Sequence, residues 1–289
     1  MCNSTIIFLN SISQHMIIYI GFTLFILGLI GNLLTLLIFL SLETFRQNSC
    51  ACYLTMMSSV NTFHLFTGLL TFIMINGFAI NWPNESLFYC KFRPYYVQVC
   101  LLTSISCMCL ATVDQFLATL SNVRWYRLNN VKLARSIVIG IFLCTILYCI
   151  PFLLTYNHTI SMSTGNSICI VTSTIFTQYY DYFHSIFLLT LFPLTIMGSF
   201  GYLAYRNVQQ LAYRTVPLVR RELDKQLTTM VLIQVIYNII TMTPISIVTI
   251  YNNIADNRLD ICSKTILGIF LNICILIYYL YSVVSIYRF

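Results

Sequence analysis

The side chains of this chain that can do chemistry are few and mostly uncharged. Asp114 ends the apolar run "LATVDQFLATL" at 110–120, and Gln115 follows it where a base would balance the acid. Asn32, Asn61, Ser104 and Asn272 interrupt other apolar stretches with groups that donate and accept hydrogen bonds without charge. Catalysis needs more than this. His15, His64, His158 and His184 are scattered, no paired acids or glycine-rich phosphate loop appears, and no Ser/His/Asp set shares a plausible water-accessible site. The "CAC" and "CMC" pairs at 50–52 and 107–109 lack companion ligands, and His184 alone makes no metal site. Neither an enzyme, a metal nor a cofactor is expected.

The elements that must position these residues follow from composition. The 289 residues are 58% hydrophobic, 15% aromatic and 8% charged, where a soluble globule has about a quarter charged. Cutting at every charged residue leaves seven windows of at least 20 residues: 1–42, 47–84, 94–113, 136–180, 182–205, 226–255 and 265–287. A helix needs about 20 apolar residues to cross about 30 Å of hydrocarbon. Long Leu, Ile, Phe and Val runs without ten-residue alternation exclude barrel strands. The expected fold is therefore an all-α membrane protein, one seven-helix bundle over 1–289, with spans near 16–41, 51–77, 88–120, 133–155, 182–208, 225–252 and 264–286.

With the amino terminus outside, eleven bases fall inside (Arg46, Arg124, Arg127, Lys132, Arg135, Arg206, Arg214, Arg220, Arg221, Lys225 and Arg288) and four outside. The positive-inside rule supports this orientation, and membrane orientation rather than nucleic acid accounts for the net charge of +7. Glycosylation triplets begin at Asn3, Asn84 and Asn157, all outside in the same topology. The first span is expected to be its own signal anchor. Cysteines within spans read as small apolar residues, and Cys50 and Cys52 as plain thiols. Four cysteines lie on the oxidising outer side. Cys90, opening span three, and Cys169, in the second outer loop, are the first pair to expect, and Cys2 with Cys262 the second.

Together these features resemble the rhodopsin-like (class A) G-protein-coupled receptors over nearly the whole chain. "LIGNLL" supplies a Gly31-Asn32 pair in span one, and Asp114 stands twenty-four residues after Cys90, where the family has the acid of its Asp-Arg-Tyr motif. Pro151, Pro193 and Pro244 occupy family proline positions in spans four, five and six. Each removes a helical hydrogen bond and bends its helix. The resemblance implies that the inner half of span six swings outward on activation, with Asp114, Gln115, Phe116, Pro244 and Tyr281 as switch or G-protein-facing residues. It also implies a polar cluster of Asn32, Asn61, Ser104 and Asn272.

Departures from the family pattern set further expectations. Gln115 and Phe116 replace the motif's Arg and Tyr, so ionic locking of span six is absent, and Asp114 is expected to pair with Arg124 or Arg127 instead. Asn61 replaces an acid, which predicts weak or no sodium binding. Met242 and Asn238 replace span-six aromatics, and Ile277-Tyr278 replace the Asn-Pro that precedes Tyr281. The family's amine-binding carboxylate position holds Val97 and the retinal lysine position Leu271, which disfavours amines and retinal.

The outer face keeps "RPYYVQ" at 93–98, "TQYYDYFH" at 177–184 and "TIYNN" at 249–253. Tyrosines and amides around an apolar cleft suit a peptide or small amphipathic ligand, with Gln98, Asp181, His184, Thr249 and Asn252 as pocket residues. An aromatic belt at the membrane interface accounts equally well for the tyrosines. Inside, "YRTVPLVRRELDKQLTT" at 213–229 reads as a contact for a heterotrimeric G protein, or as a basic segment facing lipid headgroups. The short end at Phe289 gives no support to phosphorylation of a tail. The reading is a multi-pass plasma-membrane receptor for a neuropeptide-like ligand. A non-signalling scavenger of the same fold and, further off, a secondary transporter are the alternatives; no internal repeat supports the latter.

Overall fold

The computed structural model describes residues 2–120, 130–160, 165, 167–211, 218–255 and 261–283, with side chains at 2–5, 44, 210–211, 218–225, 249, 252–255, 261–262 and 281–283 left aside. Seven helical spans in it are long and apolar enough to cross a membrane: Ile6–Ser41, Ser49–Phe78, Leu87–Thr119, Val131–Thr155, Thr174–Gln209, Gln226–Val248 and Ser263–Leu280. They are numbered one to seven in chain order.

Helical backbone satisfies its own polar groups in hydrocarbon, and polar caps start four of the spans. Asn48 accepts from the Cys50 and Ala51 amides, Ser86 from Tyr89, Asn130 from Lys132 and Ser173 from Phe176. Two spans widen into π-helical segments, Leu65–Leu70 in span two and Tyr179–Leu191 in span five. Such widening shifts the phase of the helix and is frequent at functional sites. Span four breaks after Tyr148 and restarts at Ile150–Thr155 with Pro151 in the first turn, where a missing amide costs least. Pro94 and Pro244 lie inside the helices of spans three and six.

Two spans begin before the sequence suggests. The first helix runs over Cys2–Ser41, 40 residues, or about 60 Å at 1.5 Å per residue. Ser13, Gln14 and His15 interrupt its apolar pattern, yet Gln14 Nε2 reaches the Gly77 carbonyl at 2.6 Å and ties the extension to span two. Span five begins at Thr174 because the "TQYYDYFH" stretch is helical rather than loop.

Between spans four and five the chain departs from helix. Strand β1, Tyr156–Ile160, pairs antiparallel with β2, Ser167–Val171, setting His158 opposite Cys169. Cys169 is bonded to Cys90 at the start of span three, as expected from the sequence. Two more ties hold the hairpin: Asn84 Oδ1 accepts from the Cys169 amide at 3.0 Å, and His158 Nε2 lies 2.7 Å from the Pro83 carbonyl oxygen. This end of the bundle is called the disulfide end below.

Span three forms the axis, with Leu102, Ile105, Cys107, Met108 and Ala111 all buried. Spans one and two approach closely because Gly21 faces Ile73 and Gly77 faces Ile18. Small residues serve this purpose in membranes, where packing rather than water drives helix association. A β-carbon at Gly77 would lie 2.8 Å from Ile18 Cγ1. Gly77→Val is expected to cost about 1–3 kcal/mol by overpacking, read as a lower unfolding temperature of the purified protein, with Gly268→Ala as the control because it meets nothing within 4 Å.

Candidate functional site

Towards the disulfide end, spans three, four and five meet around His184. The π-helical segment of span five carries it inward, and the ring is fully buried. His184 Nε2 lies 2.9 Å from Gln98 Oε1 on span three, and Nδ1 lies 3.2 Å from the Tyr148 hydroxyl on span four. Tyr148 also bonds the Tyr179 hydroxyl, and Gln98 Nε2 donates to Tyr180 at 3.4 Å. The rings of Tyr148 and Tyr180 stack on the imidazole, with Phe152 edge-on at 5.3 Å. With Gln98 Oε1 accepting, Nε2 carries the proton and Nδ1 accepts from Tyr148. The cluster is polar at its centre and aromatic around it, so its donors and acceptors are satisfied without a charge.

Above it stands Tyr156 of β1. Burial pushes its phenol above the ordinary range, Arg93 opposes this, and Asp181 adds to it. Arg93 and Asp181 thus both lie close enough to this phenol to act on it.

Deeper in the bundle, Ser104 donates to Asn61 Oδ1 at 2.7 Å, linking spans two and three, and Thr103 and Thr145 bond at 2.9 Å between spans three and four. Thr190 and Ser246 bond at 2.8 Å between spans five and six. Asn32 is fully buried on span one and donates to the Gly28 carbonyl of its own helix.

At the end opposite the disulfide, Asp114 is buried and accepts from Ser49 Oγ with both carboxylate oxygens, at 2.9 and 2.8 Å. Ser49 opens span two, whose amino end carries partial positive charge. Gln115 Oε1 accepts from Thr228 Oγ1 of span six at 2.8 Å, with both residues buried. Next to it, Phe116 packs on Phe200 and Asn207 donates to Thr119 at 3.3 Å, joining spans three and five. The spans are thus tied at this end by a carboxylate held by a hydroxyl and by a neutral bond between spans three and six.

The sequence model of the family described as 7 transmembrane receptor (rhodopsin family) matches residues 31–285. The chain belongs to that family. No curated protein matches it at a significant level. As a member of this family of G-protein-coupled receptors it is a multi-pass plasma-membrane protein and not an enzyme, and the family in general takes a ligand and couples to a G protein.

Within this receptor, Gln98 and His184 are partners in one buried cluster, and Asp181 is half-buried a turn away. Thr249 and Asn252 lie on the helix Leu218–Ala255, but their side chains fall outside the described residues, as does that of Tyr281. Arg124 and Arg127, Cys2 with Cys262, and the side chain of Asn3 also fall outside them. Asn84 anchors the hairpin and Asn157 is exposed on β1.

Asn272 requires a correction. It donates to Ser13 of span one at 3.3 Å, and Ser13 precedes Asn32 by nineteen residues on one helix, roughly 28 Å of rise. Asn272 therefore sits near the disulfide end, apart from Asn61 and Ser104. The sequence reading also misses Ser49, Thr228, Tyr148 and Pro94. A cap followed by serine at 48–49 and the paired threonines at 228–229 were the available signals, but neither names its partner.

Gln98→Leu leaves His184 with an unmet buried group, at about 1–3 kcal/mol. His184→Phe in the same chain is expected to recover part of the loss. A double-mutant cycle on thermal unfolding should give a coupling of about 0.6–1.7 kcal/mol; a coupling near zero would show that the bond contributes nothing.

Proposed function

We propose that this receptor senses a peptide-like ligand at the disulfide end, with the amino terminus extracellular, and signals when span six parts from span three at the opposite end. The observation that carries this reading is the Thr228–Gln115 hydrogen bond. It is the kind of contact that must break if span six moves outward, and it is a neutral bond of about 1 kcal/mol rather than a buried ion pair. Orientation rests on the excess of bases at the end opposite the disulfide. With that orientation Asn3, Asn84 and Asn157 are available to a glycan.

The ligand reading rests on the walls of the disulfide end. Gln98 and His184 are already bonded to one another, so they form a floor rather than an open mouth. Arg93, Asp181 and the tyrosines above them present both charges and several hydroxyls, which suits the termini and amides of a peptide better than a simple amine or lipid. Asp181, Thr249 and Asn252 remain the residues proposed to touch it. Asn61 offers Ser104 an amide oxygen and no charge, so sodium is not expected to regulate the receptor.

One observation favours a second reading. Gln115 is committed to span six, and the family's arginine is missing from the position that would meet the G protein. A receptor that captures its ligand without signalling is the outcome this would produce.

Thr228→Val keeps the shape and removes the donor. Basal G-protein activation in cells, at matched surface expression, is expected to rise about fivefold, the equivalent of about 1 kcal/mol. Peptide extract should stimulate the wild type and fail with Cys90→Ala. A wild type silent to extract, with Thr228→Val unchanged and Gln115→Arg active, would replace this reading with the scavenger.

A further inference from the structure

A cleft lies between spans one, two and four at the end opposite the disulfide, far from the His184 cluster. Its volume is about 280 Å³, and Phe39, Leu40, Met56 and Val138 are among its apolar walls. Pockets that enclose a drug-sized ligand measure about 300–1,000 Å³, so this one holds part of an occupant and leaves the rest outside. Leu40 is 59% exposed, on the lipid-facing side of span one. Span two contributes Thr55 and Ser59, yet both hydroxyls are spent on its own backbone, donating to the Ala51 and Thr55 carbonyls at 2.7 and 3.0 Å. The wall they form is effectively apolar.

Two charges break this surface. Arg46, on the short helix Glu43–Arg46, and Arg135, in the first turns of span four, both line the cleft and both are exposed. Among the described residues no carboxylate lies within 4.0 Å of either guanidinium; Glu43 is engaged by Gln47 instead. A guanidinium prefers a planar pair of oxygens, as a phosphate offers. An apolar slot open to the bilayer, with two unpaired guanidiniums at its polar edge, has the chemistry of one molecule: an acyl chain below and an anionic headgroup above.

We propose that this cleft is a binding site for an anionic glycerophospholipid, whose phosphate is held by Arg46 and Arg135 and one of whose chains lies along Leu40, Met56 and Val138. The site is separate from the ligand and G-protein readings, and its occupancy does not depend on them. If the orientation proposed above holds, the cleft opens into the cytoplasmic leaflet, where anionic lipids concentrate. A sterol is disfavoured, since its single hydroxyl would leave both guanidiniums without a counter-charge.

The test is lipid retention by the full-length receptor, purified in detergent, with added dioleoyl phosphatidylglycerol or dioleoyl phosphatidylcholine and read by native mass spectrometry. The wild type should prefer phosphatidylglycerol. The Arg46→Gln, Arg135→Gln double variant should lose about 25-fold of that preference, about fivefold for each guanidinium near a membrane surface. Arg206→Gln, a guanidinium over Tyr202 and outside the cleft, should lose little. Ser59→Leu narrows the slot and keeps both arginines, and it should weaken retention of phosphatidylglycerol. Equal retention of the two lipids by the wild type, an unaffected double variant, or displacement of phosphatidylglycerol by glycerol 3-phosphate or by cholesterol at equal concentration would each overturn the proposal. A single-copy binding event that persists in Ser59→Leu would overturn the chain placement.

Discussion

Hydrocarbon penalises an unpaired polar group and makes a buried charge expensive, and the ties between the spans of this receptor reflect that cost. Its spans are joined by neutral pairs: Ser104 to Asn61, Thr103 to Thr145, Gln98 to His184, Thr190 to Ser246, Thr228 to Gln115 and Asn272 to Ser13. Each satisfies donors and acceptors without requiring a counter-ion. Two charged groups depart from this pattern: the carboxylate of Asp114, which stands at a helix end where Ser49 and the amino terminus of span two receive it, and Arg93, whose Nε donates to the Thr67 carbonyl of span two at 3.4 Å.

Span three supplies one partner in four of these pairs, reaching spans two, four, five and six. Movement of any neighbour therefore registers on the same helix. A neutral tie in a membrane contributes about 0.6 kcal/mol on average and up to about 1.7, so such contacts can exchange with modest input. An arginine in place of Gln115 would concentrate that energy in one strong contact. The arrangement seen here spreads it over hydroxyls and amides, which lowers the threshold for rearrangement at every level of the bundle.

What the sequence made legible was what the bilayer dictates. Seven spans follow from length and hydropathy alone, and the Cys90–Cys169 bond follows from their placement together with the family resemblance. Pairing across helices was much harder to read. Asn272 looks like a core amide because it lies in an apolar run, but the depth at which span seven meets span one decides its partner, and Ser13 lay beyond the expected start of span one. Gln115 was recognisable as a replaced arginine, whereas its bond to Thr228 depends on the rotation of span six. His184 and Gln98 were both picked as lining residues; that they bond to one another follows from the π-helical phase of span five, which periodicity at 3.6 residues does not reveal.

The same economy explains where the charges went. Fifteen bases share the chain with eight acids, and Glu85 and Asp181 of those acids lie towards the disulfide end. Bases gathered at the opposite end therefore outnumber the carboxylates within reach, whatever the loops contribute. Water can solvate an arginine there, but one whose stem lies along apolar helix surface has its head at the depth of the lipid phosphates. Arg46 and Arg135 line one slot, from two helices that meet over it. A chain whose spans are tied mainly by neutral bonds leaves most of its cations at the rim, where the bilayer is a source of counter-charge beside the few carboxylates of the protein.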